Sequence, residues 1–391
     1  MDIARIRESI PATGHGIYLN TGWSGPSPRP VVERIKEWLE YESYNGPTSK
    51  PVFERHIELM NSVRSTIASF VGATADEITL TQNTTEGIHL IINGIQWKQG
   101  DELIICDIEH PSVSIPAYYM PKRQGVTLKI LDMNPAASKD DILQMFARAI
   151  NRKTKLVFFS HVQYACGLKM PLAEIAAMAH QAGAWVLVDG AQAAGHLDLN
   201  MRTLDADFYC FPGHKWILGP DGVGATYIKK GLIAQIETTK MGNRSISSSD
   251  RRGNFTPQLD SIRKFELTTT SAPLWAGMEA SIRFLLDVGK PEIEERSKSL
   301  SSIVKSTFAE IPGVHIHSPT DPLTSCGLVT FSIDGWEPKD IVDALWNDVQ
   351  AVTRTTPWPA GVRLSTAFFN TEDEIAKVRQ GVEKLAESRK A

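Results

Sequence analysis

The chain has 391 residues, of which 42% are hydrophobic and 22% charged, and its formal net charge of −4 comes from interspersed acidic and basic side chains. That balance describes an ordinary globular protein long enough for more than one domain, and it argues against a nucleic-acid or membrane-binding surface. The start, MDIARIRESIPATGHG, lacks the basic and apolar regions of a secretory signal, and no eighteen apolar residues run together, so a soluble, cytoplasmic protein is expected.

In chain order, the first informative stretch is "TLTQNTTEGIHLII" (79–92), a strand passing through Asn83, Thr84 and Thr85 into a helix. Free amides and hydroxyls at such a junction suit a phosphate, and a plain helix cap is the competing reading. Apolar runs follow at "DELIICD" (101–107), "TKLVFFSHV" (154–162) and "AWVLVDG" (184–190), the last preceded by the helical pattern "LAEIAAMAHQAGA". Nearly continuous Val, Ile, Leu and Phe, without alternation, predicts a mostly parallel sheet buried on both faces by helices.

In such sheets ligands bind beyond the carboxyl ends of the strands. Asp189 closes one strand and is followed by Gln192; alone it reads as a helix cap, a metal ligand or the partner of a cationic ring. After "ADFYCF" comes Gly213-His214-Lys215 within "FPGHKWILGPDGVGATYI". A lysine there is either a snorkelling surface residue or a desolvated amine able to form a Schiff base.

Beyond this point "NRSISSSDRRGNFTPQ" (243–258) reads as an exposed loop. The stretch 277–311 predicts a long helix interrupted at Gly289 and Pro291. Short strands are expected at "GVHIHS", "GLVTFSI", "VQAVTRT" and "GVRLST", and Thr371 with Glu374 forms a capping box for a closing helix. This is the pattern of a smaller α/β domain. The division expected is 15–275 for the large domain, with 1–14 and 276–391 forming the small one.

An amine, a carboxylate and a helix start at the strand ends of one sheet meet the needs of pyridoxal phosphate: a partner for its aldehyde, one for its ring nitrogen and a seat for its phosphate. Rival motifs are missing: there is no GxGxxG, no GxxxxGK[ST], no HExxH and no GxSxG. The four cysteines (106, 166, 210 and 326) lie far apart without metal-ligand spacing, three of them in strand-like contexts that suit buried thiols, so no metal site is expected.

From "YLNTGWSGPSP" (18–28) to "VRLSTAFFNTEDEI" (362–375) the order of segments resembles the class V aminotransferases, which include cysteine desulfurases, cystine carbon-sulfur lyases and isopenicillin N epimerases. The resemblance implies the fold-type I architecture of pyridoxal-phosphate enzymes, a mostly parallel seven-stranded sheet with a small C-terminal domain, and a homodimer with shared active sites. It implies that Lys215 bonds the cofactor aldehyde, Asp189 pairs with the ring nitrogen, Gln192 contacts the ring hydroxyl and His110 stacks on the ring and helps move protons. Thr84, Thr85 and His214 would hold the phosphate, joined by Thr269 from the other subunit. Arg363 would grip the substrate carboxylate, with Asn20 and Trp23 of the opening motif nearby.

Three departures from the desulfurases stand out. Pro212 replaces a phosphate-binding serine, Tyr164 replaces an asparagine near the ring, and the region 346–363 before Arg363 contains no cysteine. Sulfur transfer to an enzyme thiolate needs that cysteine. The expected activity is therefore β-elimination from cysteine, cystine or an S-substituted cysteine, giving pyruvate, ammonia and a sulfur species. Epimerisation and transamination are the enzymatic alternatives, and a cofactor-bound scaffold without catalysis is the non-enzymatic one.

Overall fold

The computed structural model describes residues 1–388. Its strands are β1 (Ile17–Tyr18), β2 (Ile78–Thr81), β3 (Glu102–Cys106), β4 (Thr127–Leu131), β5 (Thr154–Ser160), β6 (Trp185–Asp189), β7 (Phe208–Pro212), β8 (Gly224–Ile228), β9 (Ile246–Ser249), β10 (Phe255–Pro257), β11 (Val314–Ile316), β12 (Leu328–Ile333), β13 (Ala351–Val352), β14 (Arg354–Pro357) and β15 (Ala360–Ser365). The helices are α1 (Ile3–Glu8), α2 (Arg29–Asn45), α3 (Lys50–Val71), α4 (Thr84–Gly94), α5 (Pro111–Gln124), α6 (Lys139–Ala149), α7 (Leu172–Gln181), α8 (Met201–Leu204), α9 (Ala272–Val288), α10 (Lys290–Ala309), α11 (Pro338–Val349) and α12 (Glu372–Ser388).

Seven strands form the large sheet in the order β2-β8-β7-β6-β5-β3-β4, and only β8 runs antiparallel to its neighbours. The apolar runs explain this: every residue of β3, β7 and β8 is buried, because helices cover both faces. A second, antiparallel sheet of order β11-β12-β15-β14 carries its own core, including Val329, Phe331, Val362 and Leu364 under α10, α11 and α12.

The hydrophobic cores cross the expected division. Ile6 and Ile10 belong to the large core, as do Trp275, Met278, Ile282 and Leu285 of α9, whereas Ile17 and Leu19 belong to the small one. The reason is that β1 pairs in parallel with β13, so the chain enters the small domain before it builds the large sheet. The anticipated break of the long helix falls at Gly289, whose φ of +98° ends α9 and starts α10. The stretch 243–258 is exposed, as expected, but its core is a β9–β10 hairpin rather than an irregular loop.

Candidate active site

A cavity of about 340 Å³ opens at the carboxyl ends of β6 and β7 and is closed on the other side by the small sheet. The large domain contributes Thr84, Thr85, His110, Tyr164, Asp189, Gln192, His214 and Lys215 to its lining. The small sheet contributes Arg354 and Arg363, and the amino-terminal segment contributes Gly22 and Trp23. Two predicted residues lie outside it. Asn20 is buried beside it, bridged to Ser365, with Oδ1 unpartnered. Thr269 is exposed on a loop that lines a separate groove with Gln82 and Gly222.

Lys215 follows β7, in a turn where Leu218 N–H donates to its carbonyl at 2.9 Å. Burial makes the ammonium costly, and the cations Arg363 and Arg354 add to that against the attraction of Asp189, so its pKa falls from 10.5 to about 8. Asp189 ends β6, and Ala191 N–H donates to Oδ1 at 2.8 Å. Burial pushes its carboxyl up, while Lys215 and the Ala191 amide pull it down.

His110 caps α5: its Nδ1 accepts from Ser112 N–H at 3.1 Å, which assigns the ring proton of the neutral imidazole to Nε2. Burial, then Lys215, Arg354 and Arg363, lower its pKa to about 4, so the ring is neutral at physiological pH. Tyr164 meets it edge-on with ring centroids 5.0 Å apart.

At the start of α4 the Asn83 side chain caps the helix by accepting from Glu86 N–H at 2.9 Å. Thr84 and Thr85 follow at the positive end of an eleven-residue helix, and Thr85 Oγ1 donates to Ser112 Oγ. His214 is neutral because burial, helped by Lys215, lowers its pKa. Its Nδ1 makes no hydrogen bond, the nearest acidic oxygen being Asp221 Oδ1 at 3.4 Å. Pro212 lines the cavity and has no N–H to donate.

Gln192 is held at both ends. Nε2 donates to Gly22 O at 2.7 Å, and Oε1 accepts from Trp216 Nε1 at 2.9 Å, leaving one N–H for a ligand. Trp216 stacks on His196 at 3.9 Å, and His196 Nε2 in turn accepts from Gly327 N–H of the small domain at 2.9 Å. Gly22 is the residue that fits over this network. A Cβ there would stand 2.8 Å from Gln192 Oε1, 2.9 Å from Ser365 Oγ and 3.0 Å from Arg363 Nη2.

Arg363 on β15 is fully buried, with Nη1 donating to Tyr164 O at 2.7 Å and both Nε and Nη2 unpartnered. Burial and the neighbouring Arg354 lower its pKa to about 9. A buried guanidinium with two free donors is an anion site waiting for its anion. Sequence reasoning read "VQAVTRT" as a strand candidate and did not single out Arg354. Ser112 was likewise overlooked, since its signal is a contact with His110 that only the fold reveals. All four cysteines are buried and free, and none lines the cavity.

The profile of the class-V aminotransferases matches residues 17–378. A cysteine desulfurase of Escherichia coli is 30% identical over 387 residues, covering 94% of this chain and 93% of that one. The isopenicillin N epimerase of Amycolatopsis lactamdurans is 27% identical over 396 residues, covering 98% of each. Among solved structures, the cystine C–S lyase C-DES in complex with its reaction product cysteine persulfide has a TM-score of 0.89 at 29% identity, covering 96% of this chain and 99% of that one. A second C-DES structure, with glycine covalently linked to the PLP cofactor, has a TM-score of 0.90 and covers 96% and 98%. The residues present here fit that cofactor: a buried amine of lowered pKa, a buried carboxylate and a helix start converge on one cavity.

Proposed function

The chain belongs to the class-V aminotransferase family of pyridoxal-phosphate enzymes, and on that premise we propose that it is a carbon-sulfur β-lyase acting on cysteine, cystine or an S-substituted cysteine. The observation that carries this reading is the burial of every cysteine away from a cavity that otherwise holds the lysine, carboxylate and arginine the chemistry requires. A desulfurase passes sulfur to an accessible thiolate, whereas here burial raises the Cys166 thiol to about 12 and also pushes that of Cys326 up. With no thiol to receive it, the sulfur leaves on its own carbon or sulfur substituent.

Bound in this cavity, pyridoxal phosphate supplies an aldehyde for the substrate amine and a ring that accepts the electron pair released at Cα. Asp189 would be the partner for the ring nitrogen, Thr84, Thr85 and His214 would hold the phosphate, and His110 and Tyr164 would lie beside the ring. Gln192, pinned by Trp216, has one N–H left that would serve the ring hydroxyl. Arg363 takes the substrate α-carboxylate on Nε and Nη2, which fixes the Cα–H bond relative to Lys215. With a pKa near 8, Lys215 Nζ is neutral in part of the molecules at neutral pH, and it accepts the Cα proton. The Cβ–S electrons then depart with the sulfur as a thiolate, and water converts the three-carbon remainder to pyruvate and ammonia. A homodimer is part of the same reading: Thr269, which lies outside the cavity, would serve the phosphate of a neighbouring copy.

Incubation with L-cystine and a set of cysteine S-conjugates tests this reading. Pyruvate and ammonia in equal amounts are expected. Alanine would mean desulfuration, an inverted Cα epimerisation, and a 2-oxo acid formed only with an amino acceptor transamination; any of these in place of pyruvate overturns the proposal.

A further inference from the structure

A glutamine carries an oxygen on one arm of its amide and an NH2 on the other, and shape alone does not tell the two apart. At Gln192 the neighbours do. Trp216 Nε1 can only donate and meets Oε1 at 2.9 Å, while the Gly22 carbonyl can only accept and takes a proton from Nε2 at 2.7 Å. A reversed amide would set donor against donor at one end and acceptor against acceptor at the other, in a buried place.

Both anchors are themselves held. The Trp216 ring is 1% exposed and lies flat on His196, with 9° between the planes. His196 Nε2 accepts from Gly327 N–H and Nδ1 lies 2.9 Å from Gln192 O, so the neutral ring carries its proton on Nδ1 and donates it to that carbonyl. Burial lowers the pKa of His196 to about 4, which keeps it neutral. Gly195, at φ +89°, comes so close to Trp216 that a Cβ would stand 2.4 Å from the tryptophan's carbonyl carbon and oxygen. Gly22 is tied to β15 by its N–H bond to Ser365 Oγ.

Trp216 directly follows Lys215, so the turn that delivers the amine also delivers the clamp. The amide proton left uncommitted belongs to a side chain that lines the cavity. A donor to the oxygen of a ring hydroxyl favours its deprotonated form. We propose that Trp216 is a positioning residue: by donating to Oε1 it keeps Nε2 of Gln192 turned to the cofactor's ring hydroxyl, and so sets the pH at which the bound cofactor titrates. This rests on the contact between Gln192 and that hydroxyl and deepens it.

The test follows the visible band of the bound cofactor through a pH titration of the unmodified holoenzyme, Trp216→Phe, Gln192→Leu and the double variant. Loss of the indole N–H lets Oε1 turn toward the ring hydroxyl in place of Nε2, so the midpoint in Trp216→Phe should rise by about 0.5 to 1 pH unit. Gln192→Leu should rise at least as far, and the double variant no further than Gln192→Leu alone. Trp216→Met, equally without an N–H, takes the place of a Phe variant that does not fold. Calorimetric titration of the apoproteins with 4′-deoxypyridoxine 5′-phosphate, which has the ring hydroxyl and no aldehyde, gives a second readout. Its Kd should rise about threefold or more in Trp216→Phe and be unchanged by the same substitution in the Gln192→Leu background. Should the band not titrate, that comparison decides alone.

An unshifted midpoint in Trp216→Phe beside a raised one in Gln192→Leu overturns the proposal, because Gly22 alone then orients the amide. Equal shifts from Trp216→Phe with and without Gln192 overturn it too, and assign the tryptophan to packing. An unshifted Gln192→Leu ends the contact between Gln192 and the ring hydroxyl, and the proposal with it, whereas pyruvate formation by the unmodified holoenzyme judges the β-lyase reading separately.

Discussion

The cavity has two walls built on different principles. The cofactor wall comes from the ends of buried parallel strands and the helices that follow them, so its groups are fixed by the apolar cores on the two faces of the sheet, and the charge of Asp189 acts on Lys215. The substrate wall comes from a short antiparallel sheet whose two arginines face each other without a counter-ion. The first wall serves the cofactor and the second offers buried donors to an anion, so substitutions on the two sides should fail in different ways.

Lys215→Ala breaks the first wall and should have the largest effect. It removes both the amine for the aldehyde and the proton acceptor, so kcat is expected to fall by about 10⁴-fold or more. The visible absorbance of the bound cofactor should shift with it; a variant that keeps its spectrum and turnover would remove Lys215 from the reaction. Arg363→Ala attacks the second wall. Loss of a buried charged contact to the carboxylate should lower kcat/KM by roughly 10²-fold, carried mainly by KM. The spectrum without substrate should stay unchanged, and an unaltered KM would end the assignment.

The smallest effect sharpens the contrast through pH. Only the unprotonated amine captures an aldehyde, and with a pKa near 8 that fraction of Lys215 rises about tenfold between about pH 7 and about pH 9 and then levels. Capture of pyridoxal phosphate by the apoprotein should follow that curve. A rate still climbing steeply above about pH 9 would mean that the lysine titrates like an exposed one.

The two walls also differ in how far the sequence discloses them. Asp189 and Lys215 are visible because each directly follows a run of apolar residues long enough to be recognised as a buried strand, and position after such a strand carries functional meaning. His110 gains meaning only from resemblance, and Thr84 and Thr85 read equally as a phosphate seat or a plain helix cap until the resemblance chooses between them. Arg354 gives no local signal at all: it lies in a strand of four residues, and its importance arises from register with Arg363. The same holds for the Gln192–Trp216–His196 chain, whose members are distinguished by contacts rather than by spacing. That the two cores cross the expected boundary has a related reason. A two-residue strand such as β1 leaves almost no pattern, yet its pairing with β13 decides which core Ile17 and Leu19 join.

That short pairing has a consequence for when the protein becomes competent. Gly22 N–H donates to Ser365 Oγ across 343 positions of sequence, and the same crossing brings Trp23 to Arg354. During synthesis the large sheet can assemble as soon as β8 has emerged, but the amino-terminal segment must wait, unpaired, until β13 to β15 follow it. The chamber around Lys215 can therefore close only after β13 to β15 have been made, which puts its enclosure among the last features of the molecule.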